Sequence, residues 1–178
     1  LFVPIVAERD GHDFIDAALA NGAVAYFTRL GHQGATAIEV DDTLVALMDL
    51  ARARRWSFHG TVIGITGSVG KTTTKDLAWA ALQAGGTRAW ANERSFNNDQ
   101  GLPTTVLNAP DETEVLVLEM GMRGFGEIER LCGIAQPQIG LVTRVAEAHG
   151  DLLGGIDGVA RAKSELIRAL PPTGTAIL

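Results

Sequence analysis

The run Gly64-Ile65-Thr66-Gly67-Ser68-Val69-Gly70-Lys71-Thr72-Thr73 has the residue types and spacing of a loop that grips phosphate. Glycines let a backbone curl until several N–H groups point inward at phosphate oxygens, and a helix starting at Lys71 adds the positive end of its dipole. Lys71 is then placed to reach the β- and γ-phosphates, and the Thr72 hydroxyl to hold Mg2+. The usual pattern asks for glycine where this chain has Ile65, so the better reading is Thr66-Gly67-x-x-Gly70-Lys71-Thr72. An apolar strand before the loop and a helix after it separate it from a chance glycine-rich turn. Thr66, Gly67, Ser68, Val69, Gly70, Lys71, Thr72 and Thr73 are therefore the nucleotide-binding candidates. Such a loop does not by itself choose between a kinase, a GTPase, a motor and a ligase.

Four other positions bear on that choice. The apolar run Val115-Leu116-Val117-Leu118 ends in Glu119, followed closely by Gly121. A carboxylate at the C-terminal end of a buried strand, beside the phosphate-loop strand, can bind Mg2+ directly or through water. His149 follows a predicted strand, Gln138–Thr143, and falls near the same sheet edge as Gly67 and Glu119. By residue type alone, a surface-loop histidine is its stronger reading. Lys163 lies in register with the apolar stripe Ile156, Val159/Ala160, Leu166/Ile167 and Leu170 of a predicted helix over Ile156–Leu170. Two readings stand for it: a side chain that snorkels to solvent, or a desolvated amine with a lowered pKa that is chemically usable. Asn97 and Asn98, with Gly101 and Pro103, form a polar loop entering a short helix, a setting in which asparagine is common. No Ser/His/Asp or Cys/His nucleophile is evident.

The elements that must position these groups alternate. The front reads as strand (Leu1–Val6), helix (His12–Ala20), strand (Ala23–Thr28), strand (Ala35–Val40) and a helix over Asp41–Trp56 capped by Asp41 or Asp42. Ser57–Gly60 is a connector and the expected domain boundary. Beyond it come a strand at Thr61–Thr66, a helix over Lys71–Ala84 closed by Gly85-Gly86, and strands at Arg88–Ala91, Glu114–Met120, Gln138–Thr143 and Gly174–Leu178. Further helices are predicted at Gly101–Leu107, Gly126–Ala135 and Ile156–Leu170. The predicted fold class is α/β: a small N-terminal α/β domain over residues 1–57, then a mostly parallel P-loop domain over 61–178 with ligands at the strands' C-terminal ends.

The bulk properties exclude several alternatives. The 178 residues are 46% hydrophobic, enough for a sizeable core. The formal charge is −6, and the only basic cluster, Arg52, Arg54 and Arg55, ends a predicted helix where cations suit the dipole. Nucleic acid is not an expected partner. Cys132 is the single cysteine, so an internal disulfide is impossible and a reducing, cytoplasmic setting is expected. No stretch approaches the ~20 consecutive apolar residues of a membrane helix. The chain opens on Leu1 without a signal-peptide pattern and stops inside a predicted strand, as a piece of a longer protein would.

Taken in order, the motifs resemble those of the Mur ligase family, the ATP-driven enzymes that build the peptidoglycan peptide. The matching runs are Leu1-Phe2-Val3 with Asp10-Gly11-His12-Asp13-Phe14, the phosphate loop, Asn97-Asn98-Asp99-Gln100-Gly101-Leu102-Pro103-Thr104, and Leu118-Glu119-Met120-Gly121. Ala148-His149 and Val159-Ala160-Arg161-Ala162-Lys163-Ser164-Glu165 complete the set. The likeness spans nearly the whole chain, and the family's own form of the loop accounts for Ile65. It implies that residues before Ser57 hold a UDP-sugar substrate, with Asp10–His12 near that site, and that residues from Thr61 onward form an ATPase domain. Glu119 and Thr72 would bind the Mg2+ that bridges the β- and γ-phosphates, and His149 would bind a second Mg2+. Lys163 matches a lysine that several members carry as a carbamate, and Asn97 or Asn98 would sit beside the phosphates. Lys71, Glu119, His149 and Lys163 would thus be catalytic.

The implied reaction joins D-Ala-D-Ala to UDP-N-acetylmuramoyl-tripeptide through an acyl phosphate, in a monomer that uses ATP and Mg2+ and has no membrane span. Two departures stand out: the family usually has asparagine where this chain has Arg144, and leucine where it has Gly150. The family's third domain, which binds the incoming amine, is not represented, so the chain alone is expected to bind phosphates weakly and ligate nothing. Another Mur ligase, a folylpolyglutamate-synthase-like ligase and a non-catalytic nucleotide-binding module are the alternatives.

Overall fold

The computed structural model describes residues 1–31, 36–146 and 153–178. The chain divides into two compact units, Leu1–Leu50 and Ala51–Leu178. The division falls inside a helix, upstream of the Ser57–Gly60 connector where the sequence suggests it.

In the front unit a 3-10 turn over Gly11–Phe14 runs into α1 (Ile15–Ala20), and strands β1 (Tyr26–Thr28) and β2 (Ala37–Glu39) pair in parallel. The predicted strand at Leu1–Val6 does not form. Phe2 makes one parallel bridge to Tyr26, and Val6 one antiparallel bridge to Asp10. The tight return to Asp10 breaks the extension: Gly11 N–H donates to the Ile5 carbonyl, and a Cβ at Gly11 would crowd that backbone. Helix α2 (Thr43–Trp56) starts at Asp42, whose Oδ1 accepts from the N–H groups of Leu44 and Val45. Its core face is Leu47, Met48 and Ala51.

The rear unit carries β3 (Thr61–Thr66), α3 (Lys71–Ala84), β4 (Ala89–Ala91), α4 (Gly101–Leu107), β5 (Val115–Glu119), α5 (Glu127–Ala135), β6 (Ile139–Val142), α6 (Ile156–Arg168) and β7 (Thr175–Ile177). The five strands form one parallel sheet in the order β4-β5-β3-β6-β7. The phosphate-loop strand is therefore central, with Val62 and Ile65 fully buried between its neighbours. Right-handed crossovers put α3 on one face of this sheet and α4, α5 and α6 on the other. Gly64 and Gly140 are needed for that second face, because a Cβ at either would press on Leu166 of α6. The order of connections reverses at β3, so its C-terminal end is the crevice where open parallel sheets bind ligands.

Candidate functional site

The loop after β3 is shaped by two glycines. Gly67 has φ 154° and a Cβ there would collide with the Thr143 hydroxyl, while Gly70, at φ 85°, is the N-cap of α3. Side-chain and backbone hydrogen bonds lock the loop to the segment after β6. Thr143 Oγ1 donates to Val69 O at 2.6 Å, Ser68 N–H donates to Arg144 O at 2.7 Å, and Ser68 Oγ pairs with the backbone of Ala146. Lys71 Nζ folds back onto Gly67 O at 2.9 Å. That contact is to a part-buried loop carbonyl, whose place at the ammonium a phosphate oxygen could take. Val69 and Thr73 face solvent at the rim.

Glu119 ends β5 one strand away, and its side chain is only 1% exposed. Thr72 Oγ1 donates to Glu119 Oε2 at 2.8 Å, and Asn97 Nδ2 donates to Oε1 at 2.7 Å. A buried carboxylate beside a loop of N–H groups and one helical hydroxyl is a hard-oxygen donor set of the kind Mg2+ takes, together with phosphate oxygens and water. Among the described residues no cluster of three or more His, Cys, Asp or Glu side chains could hold a metal unaided. Asn98 does something else: its Oδ1 accepts from the N–H groups of Gln100 and Gly101 at the start of α4. Of the two asparagines, only Asn97 reaches Glu119. Gly121 lets it do so, since a Cβ there would lie 2.7 Å from Asn97 Oδ1.

Lys163 is 4% exposed, on the α6 face made by Val159, Ala162 and Leu166. The stripe is rotated from the one the sequence suggests: Ile156 and Ala160 are exposed, whereas Lys163 stays inward. Burial, with the nearby positive charge of Lys71 adding to it, pushes the Lys163 amine down to about 8. About a tenth of it is therefore neutral at pH 7, far more than of an ordinary lysine. His149, with Ala148 and Gly150, lies outside the described residues. Arg144 is exposed at the loop rim, with its carbonyl bonded to Ser68.

Three residues of this site carry no motif. Asn92, 2% exposed, brackets the Glu119 peptide, and Lys75, equally buried, donates to Asn92 O. Thr143 ties down the phosphate loop. The sequence reading missed all three: Thr143 at the end of a predicted strand and Lys75 one turn after Lys71 had position as their only signal, and nothing in residue type singled out Asn92.

In the front unit, Asp10 Oδ1 accepts from His12 N–H at 3.0 Å and pairs with His12 Nδ1 at 2.6 Å. His12 Nε2 accepts from Arg29 N–H, so a neutral ring carries its proton on Nδ1. Those hydrogen bonds from His12, the backbone one foremost, hold the Asp10 carboxyl below its usual range. An open polar cleft of about 560 Å3 is lined by Arg29, Glu39, Val40 and Asp41 of the same unit. No helix among the described residues is long and apolar enough to cross a membrane.

A family model described as the Mur ligase middle domain matches residues 65–178. The UDP-N-acetylmuramoyl-tripeptide–D-alanyl-D-alanine ligase of Bacillus subtilis is 43% identical over 184 residues, covering 99% of this chain and 40% of that protein. The crystal structure of MurF from Acinetobacter baumannii superposes with a TM-score of 0.88 at 33% identity, over 97% of this chain and 39% of that one. MurF ligase from Thermotoga maritima, solved in complex with ADP, gives a TM-score of 0.88 at 36% identity, over 98% of this chain and 41% of that one. The chain thus spans about two fifths of the length of the relatives it matches.

Proposed function

The chain belongs to the Mur ligase family, through its middle domain, and we propose that it is the front part of an ATP-dependent ligase joining D-Ala-D-Ala to UDP-N-acetylmuramoyl-tripeptide. In this reading residues 1–57 hold the UDP-sugar end of the substrate, with Asp10 and His12 near it, and residues 61–178 form most of the ATPase domain. The work is done in the cytoplasm. The observation that carries the reading is the Thr72–Glu119 contact at the mouth of a complete phosphate loop, on the central strands of a parallel sheet. A module that only binds nucleotide has no need of a buried carboxylate there together with an inward, pKa-lowered lysine.

The loop N–H groups and Lys71 hold the β- and γ-phosphates and offset charge that builds on the γ-phosphoryl group. Thr72 Oγ1 and Glu119 would hold Mg2+, which would supply further neutralisation of the phosphate charge. The substrate carboxylate attacks the γ-phosphorus, breaking the bond to ADP and forming an acyl phosphate. The amine of D-Ala-D-Ala then attacks the acyl carbon, and inorganic phosphate leaves. Asn97 keeps the second oxygen of Glu119 occupied so that the carboxylate cannot rotate away. The neutral Lys163 amine suits addition to CO2, giving a carbamate and a released proton; with His149 that carbamate would hold a second Mg2+. The test is to supply the full-length protein with ATP, Mg2+, the UDP-tripeptide and D-Ala-D-Ala. The UDP-pentapeptide, ADP and phosphate should form in equal amounts, and Glu119→Ala should reduce turnover about a hundredfold or more while leaving the fold intact. Product formed with a different amino component in preference to D-Ala-D-Ala would assign the chain to another member of the family.

A further inference from the structure

We propose that Asn92, itself held by the buried ammonium of Lys75, is a positioning residue that fixes the Glu119 carboxylate at the phosphate loop. The inference rests on the reading of Glu119 as a metal-binding carboxylate. Strand β4 pairs with β5 only as far as Ala91, opposite Val117. Glu119 lies two residues further on, where no β4 backbone remains to bond it. The Asn92 side chain takes over that role: its Oδ1 accepts from Glu119 N–H at 2.7 Å and its Nδ2 donates to Glu119 O at 3.2 Å. A side-chain amide has the donor and acceptor of a peptide, so it continues the ladder past the end of the strand. On the other side, Glu119 is in register with Ile65 of β3, and Met120 N–H donates to Ile65 O. The Glu119 peptide is thereby clamped from both neighbours.

Asn92 is placed in turn by α3. Lys75 is 2% exposed, and its Nζ donates to Asn92 O at 2.6 Å and to Arg94 O at 3.3 Å, while pairing with Asp76 at 2.9 Å. Arg94 adopts φ 47°, a left-handed conformation that side chains rarely take, and the lysine holds its carbonyl there. The turn this makes leads to Asn97, which bonds the Glu119 carboxylate directly. One helix therefore sets both halves of the carboxylate site: Thr72 at its first turn touches Glu119, and Lys75 at its second fixes the segment that orients it. Partners of metal-ligating groups commonly change metal affinity by about ten- to a hundredfold when removed.

The experiment uses the full-length protein as Asn92→Ala, Lys75→Met and Glu119→Gln, with ADP affinity measured by calorimetry in Mg2+ and in EDTA, alongside Tm. Asn92→Ala and Lys75→Met should weaken Mg2+ binding to the ADP complex by about tenfold or more, with ADP affinity in EDTA changed by less than about twofold. Lys75→Arg, which keeps the charge and donors, should recover part of the loss. If Asn92→Ala folds poorly, Lys75→Met makes the same measurement from outside the strand end. A folded variant with unchanged Mg2+ affinity, beside a weakened Glu119→Gln, overturns the role of Asn92 alone. Unchanged affinity in Glu119→Gln overturns the metal reading and this inference with it. Equal losses with and without Mg2+ would mean that the loop has collapsed generally, and would also refute the positioning role.

Discussion

At the C-terminal end of the five-stranded sheet Glu119 is bonded at its carboxylate by two side chains, whereas at the N-terminal end Arg55 is bonded by backbone alone. Both groups are buried. Arg55 donates Nε to Ala135 O, Nη1 to Phe58 O and Nη2 to Gln136 O, so it caps the end of α5 and ties the last turn of α2 to it. Burial pulls its pKa down. An open cleft of about 550 Å3 lies beside it, lined also by Glu129, Cys132, Gln138 and Pro171. The Arg55 donors in that cleft are already spent on carbonyls that only unfolding would release. The Thr72 and Lys71 contacts at the other end can be exchanged for ligand oxygens without moving a strand. On the proposed reading, exchangeable partners, rather than buried polarity, mark the functional end of the sheet.

The largest effect that would sharpen this contrast is expected at Lys163. If the proposed ligase reading holds, Lys163→Ala in the full-length protein should lower kcat by about a hundred- to a thousandfold, with partial recovery on adding formate or acetate, which could occupy the place of the proposed carbamate. Carbamate formation needs the neutral amine, and the amine titrates at about 8. Incorporation of labelled CO2, read by carbon NMR, should therefore rise as pH increases from about 7 to about 9. Stability carries the same sign. The folded pKa lies below the ordinary 10.5, so the cost of burying the ammonium is full below about 8 and is relieved as pH rises from there towards 10.5. An active, unrescued alanine variant would move Lys163 from the catalytic end to the structural class of Arg55.

A smaller and opposite effect is expected at the other end. Arg55→Ala leaves three carbonyls without their donor and should cost about 3 kcal/mol of stability. Urea unfolding measures this, and ADP affinity in the folded fraction should be unchanged. A loss of ADP affinity without a loss of stability would mean that the two ends are coupled, and the division drawn here would fail.

How much of this was legible depended on whether a function needs a particular residue type. The phosphate loop, its helix at Lys71–Ala84 and the strand at Thr61–Thr66 are readable because glycine, lysine and a β-branched run each have few other reasons to occur in that order. Glu119 was readable as an acid at the end of an apolar strand. The failures have equally local causes. Leu1–Val6 looks extended and apolar, but one return contact at Gly11 leaves it only isolated bridges. Asn97 and Asn98 are indistinguishable by type, and only the turn into α4 decides which one accepts from the N–H groups of Gln100 and Gly101. Asn92 acts because β4 stops one residue before it, and strand ends are set by pairing that no single residue announces.

The smallest effect belongs to Cys132, which lines the N-terminal cleft and tests whether that cleft is wall or site. Its side chain is buried, with Sγ 3.7 Å from Met120 Sδ, and burial, helped by Glu165 and Glu129, pushes the thiol up to about 12. The thiolate is the reactive form, so at about pH 8 the folded protein should react with iodoacetamide at least about a hundredfold more slowly than a free thiol. Cys132→Ala should cost about 1 kcal/mol or less, because only one sulfur atom leaves a core that can relax around it. Labelling followed by mass spectrometry, with and without urea, separates the two possibilities. If the native protein is labelled at the rate of the unfolded one, water and reagent reach the cleft freely. The N-terminal end would then be an open ligand-accessible surface, and the distinction between exchangeable and backbone-saturated polarity would no longer tell the two ends apart.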